Sequence, residues 1–297
     1  MNIKSPIFIG GAGRTGTRLL RSIIGKISNV YEVPRETYIF SNESSKNKKV
    51  FKSINSIKDL KEQQKALLVY VLLSIFYRKK IAAKKFLILK NNFSHLQRIW
   101  NENIISSKQN HDSKIISLYQ KIQPLIHSNN IFEIYDFVLE CLCQEKDCLR
   151  WVEKTPANIF NLTQIKKLYP DARFIAITRN PYAVYSSWKK KNKNIFFTLF
   201  NWLKANKEIL IQKEKILLIK YEDLVTNPEN TIRKVCNYIS EPFCEKLLDV
   251  EVLNNKDLKG QRGFNLETIF KWQKELNYFE KFFLKLFTKK LAKNLGY

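Results

Sequence analysis

A short, continuously apolar stretch, residues 6–10 (PIFIG), runs straight into the glycine-rich sequence GGAGRTGTRLL of residues 10–20. The next segment, residues 17–27, brings Leu19, Leu20, Ile23, Ile24 and Ile27 to helical spacing. Buried strand, glycine loop and amphipathic helix in that order predict an α/β fold whose parallel sheet is covered on both faces. The loop itself offers an anion free backbone N–H groups and the partial positive charge of a helix N-terminus. Arg14, inside the loop, adds a full charge and a planar fork of donors suited to phosphate or sulfate.

Three phosphate compounds compete for this loop. Gly11 and Gly16 keep the G-x-x-x-x-G spacing of an ATP-binding P-loop, but Thr17 and Arg18 stand where Lys and Ser or Thr belong. The acid that should close a later apolar strand is also missing, because RFIAIT of residues 173–178 is followed by Arg179. Gly11, Gly13 and Gly16 spell the dinucleotide fingerprint G-x-G-x-x-G, and Glu32, about 20 residues on, suits the ribose ligand of an NAD-dependent oxidoreductase. Against a dinucleotide, the following hundred residues do not continue as βαβ.

Further apolar strands are predicted at residues 29–33, 149–154, 173–178 and 216–220, with helices at 158–168, 181–191 and 227–238 and a helical tail from Leu266. The tail aromatics Phe270, Trp272, Phe279, Phe282, Phe283 and Phe287 are expected to pack rather than bind. Residues 57–145 read as mostly helical, with 58–85 the longest stretch, loops near Asn91, Asn110 and Asn129, and a strand-like run at 86–89. No repeat or long linker interrupts the chain, so residues 1–297 are expected to form a single domain in which about 45–145 is a helical insertion on the sheet. In such a sheet ligands bind beyond the carboxyl ends of the strands. Arg179, with Ser186 and Ser187 further along its helix, makes a second anion site at a second strand end, and Ser187 and Lys191 fall at i, i+4. Two separate anion sites suit a nucleotide with phosphates at two distant positions.

Five blocks of this sequence resemble the sulfotransferases that use 3′-phosphoadenosine 5′-phosphosulfate (PAPS). GRTGTRLL is similar to their 5′-phosphosulfate loop, with Thr15 for the usual Ser, and TRNPYAVYSSW to their 3′-phosphate motif, an Arg closing a strand and a Ser eight residues later. WVEKTPANIFNLTQIKKLYPDARFIAITRNP resembles the joining segment of the tyrosylprotein and bacterial branches, KYEDLVTNPENTIRKVCNYI the Y-E-D-L segment, and GQRGFNLETIFKWQKEL the C-terminal segment covering the nucleotide. The resemblance implies a P-loop NTPase-like sulfotransferase fold and sulfuryl transfer from PAPS to a hydroxyl acceptor without a metal. It implies contacts to the nucleotide from Gly13, Arg14, Thr15, Gly16, Thr17, Arg18, Arg179, Ser187, Tyr221, Arg262, Gly263 and Lys271. Glu36, in PRETYIF, stands where the tyrosylprotein branch keeps its catalytic base, with Glu32 in reserve; Arg14 and Lys154 would stabilise the transferring group. His95, His111 and His127 lie in the unmatched helical block and are read as surface or packing residues, with His95, near the strand-like run at 86–89, kept as a further alternative base. Trp151 and Trp188 are read first as packing residues, bordering the site at most.

Lysine and arginine number 52 against 27 acids, a formal net charge of +25, which attracts anionic partners. That charge also admits a non-catalytic polyanion-binding protein, though no nucleic-acid partner is expected. The acceptor is expected to be a small molecule or a carbohydrate or glycan, with a peptide tyrosine or small alcohol as alternatives. Five cysteines without a CxxC pair suit free thiols in a reducing compartment. The longest apolar run, residues 66–76, falls short of the roughly 20 residues of a membrane span, and the N-terminal apolar run is short for a signal peptide. A cytoplasmic protein is the resulting expectation.

Overall fold

The computed structural model describes residues 5–41, 45–89, 111–250 and 262–297. The chain divides into two compact units, one formed by residues 33–151 and the other by residues 4–32 with 152–297.

Five strands, β1 (Ile7–Gly11), β2 (Val30–Glu32), β3 (Arg150–Lys154), β4 (Arg173–Thr178) and β5 (Leu217–Lys220), form one sheet in the order β2-β3-β1-β4-β5. β1 pairs in parallel with β3 and β4, and β4 with β5. Every residue of β1 and β3 is buried, as is all of β4 beyond Arg173, which is why these strands read as unbroken apolar runs rather than alternating ones. The order matters for the nucleotide. In the dinucleotide fold the second strand lies beside the first; here β3 separates them, so Glu32 ends a strand that does not border β1.

Helix α1 (Thr17–Ile24) follows the glycine loop and buries Leu20, Ile23 and Ile24 against the sheet core. In the helical unit, α2 (Ser45–Asn55), α3 (Leu60–Phe76), α4 (Lys79–Leu89), α5 (His111–Ile122) and α6 (Ile131–Gln144) follow in order. Asp59 caps α3 by accepting from Glu62 N at 2.8 Å, and Asn130 caps α6 by accepting from Phe132 N at 2.9 Å. Residues 66–76 are all buried in α3: an all-round apolar helix at the centre of its unit. Residues 86–89, read as strand-like, are instead the last turn of α4, since a four-residue apolar run has no period long enough to separate strand from buried helix. The expected helix over 58–85 is broken between α3 and α4 at Tyr77 and Arg78. Asn91, His95 and Asn110 lie outside the described residues. His111 opens α5 and His127 is exposed in the loop before α6.

After β3, Pro156–Asn161 forms a 3-10 turn before α7 (Leu162–Leu168). α8 (Pro181–Lys189) starts at Pro181, with the Asn180 side chain accepting from Tyr182 N at 2.9 Å. It stops at Lys189, so Lys191 lies beyond it in a turn and does not share a helix face with Ser187, as the i, i+4 spacing had predicted. α9 (Ile195–Ile211), α10 (Tyr221–Thr226), α11 (Pro228–Ile239), α12 (Glu267–Phe270), α13 (Trp272–Glu275) and α14 (Tyr278–Asn294) complete the unit. The tail aromatics divide. Trp272 and Phe283 pack around Leu199 and Leu284, whereas Phe270, Phe279, Phe282 and Phe287 are exposed, because the stripe of α14 that turns inward is Leu284, Thr288 and Ala292.

All five cysteines are free, and only Cys244 is exposed. Burial pushes Cys143 up to about 12 and Cys236 up to about 11, which leaves these thiols unreactive.

Candidate active site

β1 and β4 are parallel neighbours with Gly11 opposite Ile177, so the segments leaving their carboxyl ends emerge side by side. The first is the glycine loop. Gly11 (φ +140°) and Gly16 (φ +98°) hold backbone conformations that side chains rarely adopt, and a Cβ at either would strike Ile177 O or the Tyr221 ring. A Cβ on Gly13 would lie 2.8 Å from Trp188 Cζ2, which makes Trp188 a wall of the loop. Buried Thr15 donates from Oγ1 to Ala12 O at 2.7 Å, tying the loop onto itself. Arg14 is left-handed at φ +71°, an unfavourable state for a non-glycine residue and one that recurs where function demands it.

The second segment carries Arg179 and α8. Arg14 Nε donates to Ser187 Oγ at 2.8 Å, and Arg179 Nη1 donates to Arg14 O at 3.3 Å. The anion sites expected to lie apart therefore meet, a consequence of strand adjacency that separation in sequence concealed. Arg179 is buried, with its guanidinium 4.1 Å from the Tyr221 ring centroid and Nη2 donating to Thr268 O at 2.5 Å. Its Nε is buried without a partner among the described residues. Burial lowers the pKa of Arg14, and repulsion from Arg18 and Arg179 lowers it further. Burial likewise lowers Arg179, partly offset by Tyr221, Glu222 and Tyr297. Among the described residues neither Arg14 nor Arg179 has an ion-pair partner, so packed guanidiniums and one orphaned donor await negative charge. A phosphate or sulfate fits that demand.

Thr268, Trp202 and Asn206 were not singled out in the sequence. Thr268 Oγ1 also pairs with Tyr221 OH at 2.8 Å, Trp202 Nε1 donates to Arg179 O at 2.9 Å, and Thr178 Oγ1 donates to Asn206 Oδ1 at 2.6 Å. Together they fix the end of β4. Trp202 and Asn206 lie one turn apart on the buried side of α9.

Lys154 closes β3 opposite Ile9, one residue before the loop, and is buried. The buried Glu153 beside it accepts from Thr155 Oγ1 at 2.6 Å and from Asn158 Nδ2, pinning the turn that leaves the strand. Thr17 is buried at the first position of α1, and Arg18 is exposed. Arg262 pairs with Asp249, whose second neighbour is Lys26 Nζ on the backbone carbonyl. Gly263 (φ +102°) donates to Val250 O at 2.7 Å, and Lys271 lies 3.3 Å from Glu267. Glu32 is engaged by Arg21 at 2.7 Å. Glu36 belongs to the helical unit, where Tyr38 OH donates to its Oε2 at 2.8 Å; Trp151 is a core residue edge-on to Tyr135 in that unit. Among the described residues no three His, Cys, Asp or Glu side chains converge as a metal site requires, and no helix is long and apolar enough to cross a membrane.

Residues 6–245 match the model of the family described as the sulfotransferase family. Protein-tyrosine sulfotransferase A of Caenorhabditis elegans is 24% identical over 163 residues, covering 47% of this chain and 43% of that protein. Protein-tyrosine sulfotransferase 1 of Danio rerio is 26% identical over 140 residues, covering 43% and 38%. The chain thus spans less than half the length of these curated relatives. Two solved structures share the fold: the sulfotransferase domain of the Synechococcus PCC 7002 olefin synthase (TM-score 0.61, 18% identity, 100% of this chain and 96% of that one) and that of the curacin biosynthetic pathway (TM-score 0.61, 19% identity, 100% and 99%).

Proposed function

This chain belongs to the sulfotransferase family, and on that premise we propose that it transfers a sulfuryl group from PAPS to a hydroxyl acceptor. The observation that carries the reading is the cluster of Arg14, Ser187 and Arg179, two cations and a hydroxyl gathered at two adjoining strand ends, where among the described residues neither guanidinium forms an ion pair. Arg14 and the N–H groups of residues 13–17 would hold the 5′-phosphosulfate, and Arg179 with Ser187 the 3′-phosphate. Tyr221 braces Arg179 from below its guanidinium. Arg262, Gly263 and Lys271 would complete the nucleotide site, Arg262 by exchanging Asp249 for phosphate.

The acceptor oxygen attacks sulfur, the bond from sulfur to the 5′-phosphate oxygen breaks, and 3′,5′-bisphosphoadenosine leaves. Glu36 takes the acceptor proton in this scheme, as the family resemblance implies, while Arg14 and Lys154 offset charge on the sulfuryl and bridging oxygens. We take a carbohydrate hydroxyl as the acceptor and the cytoplasm as the location. A tyrosine phenol is the second acceptor, favoured by the names of the two curated relatives.

Calorimetric titration with 3′,5′-bisphosphoadenosine tests the donor: saturable binding is expected, and its absence, or equal binding by Arg14→Ala and Arg179→Ala variants, rejects the reading. Transfer of label from PAPS to fractionated glycans or to tyrosine peptides then decides the acceptor.

A further inference from the structure

The sheet unit leaves a large aromatic surface uncovered. On α14, Phe279 is 80% exposed and Leu286 64%, and on α9, Phe196 is 66% exposed and Phe200 68%. Phe283 joins the two helices, edge-on to Phe196 at 5.4 Å and 4.7 Å from Phe287 on its own helix. Phe279, Phe282 and Leu286 follow at i, i+3 and i+7, on the side opposite the buried stripe of Leu284, Thr288 and Ala292. Proteins that act alone in water rarely leave contiguous apolar patches of this kind.

The charge around the patch is mainly positive. α14 carries five lysines and one glutamate, Glu280. The carboxylate of Glu280 is occupied by Lys189 at 2.8 Å and Tyr185 OH at 2.9 Å. Lys285, Lys289, Lys290 and Lys293 are exposed, and Lys193 lies 5.0 Å from the Phe197 ring centroid at the start of α9. Lysine is depleted at protein–protein interfaces, whereas helices that lie in a membrane surface combine Phe and Leu on one side with a lysine-rich flank. A bilayer with anionic headgroups supplies both complements, apolar interior for the rings and phosphate for the lysines.

We propose that the exposed face of α14, continued by Phe196 and Phe200 of α9, docks this protein reversibly on an anionic membrane surface. Co-sedimentation with phosphatidylcholine vesicles, with and without phosphatidylglycerol, tests it. The wild type should sediment with the acidic vesicles and stay in solution with the neutral ones, and rising salt should release it. The Phe279→Ser/Phe282→Ser/Leu286→Ser variant and the independent Lys289→Glu/Lys290→Glu variant should each lower vesicle partitioning on the order of tenfold. Both should keep the wild-type melting temperature and bisphosphate titration, which separates failure of docking from failure of the fold or of the donor reading. Absence of binding to acidic vesicles, or equal binding by all three proteins, overturns the proposal. So does concentration-dependent self-association in light scattering that the serine variant abolishes, which would make the patch an interface between copies.

Discussion

The Arg14 side chain donates from Nε to Ser187 Oγ at 2.8 Å, linking residues 173 positions apart across two adjoining strand ends. The bond holds Arg14 against α8 while its neighbours Arg18 and Arg179 repel it. On the proposed function, such a cluster serves a bound anion at the expense of the free protein. Replacing Arg14 by Ala should therefore weaken 3′,5′-bisphosphoadenosine by roughly 1.5–3 kcal/mol, the worth of a charged hydrogen bond. The melting temperature of the ligand-free protein should stay level or rise. Ser187→Ala should weaken binding less, by about 0.5–1.5 kcal/mol. Titration calorimetry and ligand-free melts check both, and a large drop in ligand-free stability for Arg14→Ala would refute the argument.

Gly16 marks where the loop tolerates no side chain. At φ +98° it occupies a region open almost solely to glycine, and a Cβ would meet the Tyr221 ring that supports Arg179. Backbone strain accounts for about 1–3 kcal/mol, and overpacking against Tyr221 adds a similar amount. Gly16→Ala should accordingly shift the urea midpoint downward without changing the slope. Bisphosphate binding should fall with it, because displacing Tyr221 also displaces Arg179.

The strands and the loop were legible because burial on both faces writes itself as uninterrupted apolar sequence: Arg173–Thr178 is the strand that its residues announce. Glu32 was legible only as a charge at a suggestive distance; its engagement by Arg21 depends on how α1 lies on β2, which pattern does not encode. The junction of Arg14 with Ser187 follows from β1 lying beside β4, a long-range pairing invisible to local periodicity. Phe279 and Phe282 misled for a related reason, since aromatic content says nothing of which helix face finds a partner.

Glu153 is a buried carboxylate that holds the turn after β3. It accepts from Thr155 Oγ1 and Asn158 Nδ2, and its neighbour in sequence is Lys154. Glu153→Ala leaves those buried donors unsatisfied and should destabilise the protein by about 1–3 kcal/mol for each donor stranded. Glu153→Gln, which keeps the shape, should fold better than Glu153→Ala, and with Lys154 in the role proposed for it should still lower kcat by displacing that lysine. Chemical denaturation with single-turnover label transfer separates the two effects.

Acid should loosen the contact between α8 and the C-terminal helices. Burial pushes Glu275 up, but hydrogen bonds from Lys190, at 2.5 Å, and from Ser186 overcome it, so its pKa lies below the usual carboxylate range. Glu280 behaves alike, with Lys189, the Asn277 backbone N–H and Tyr185 outweighing burial. Because both folded pKa values are depressed, the stabilisation is fully present above the unfolded carboxylate value, about 4.3, and is lost as pH falls through the folded pKa values. Each pair is solvent-accessible and contributes about 0–1 kcal/mol. Melting temperatures recorded from pH 7 downward should therefore fall below that window, and the Glu275→Gln/Glu280→Gln variant should show a shallower fall.

Glu36 and Glu32 make opposite predictions, which allows the proton acceptor to be identified. Glu32 is bound to Arg21 at 2.7 Å beside Gly25, so Glu32→Gln should act on the fold, lowering stability by less than about 1 kcal/mol, and should leave label transfer per folded molecule unchanged. Glu36 receives a hydrogen bond from Tyr38 OH at 2.8 Å, which orients its carboxylate. If it accepts the acceptor's proton, Glu36→Gln removes only the transition-state transfer and should lower kcat by roughly 10²–10⁴-fold. The affinity for 3′,5′-bisphosphoadenosine should not move, since the phosphate contacts we propose, Arg14, Arg179 and Ser187, do not include Glu36. Labelled PAPS transfer onto fractionated cell extract, run beside calorimetry on both variants, gives the answer: normal turnover by Glu36→Gln would remove the base from this position.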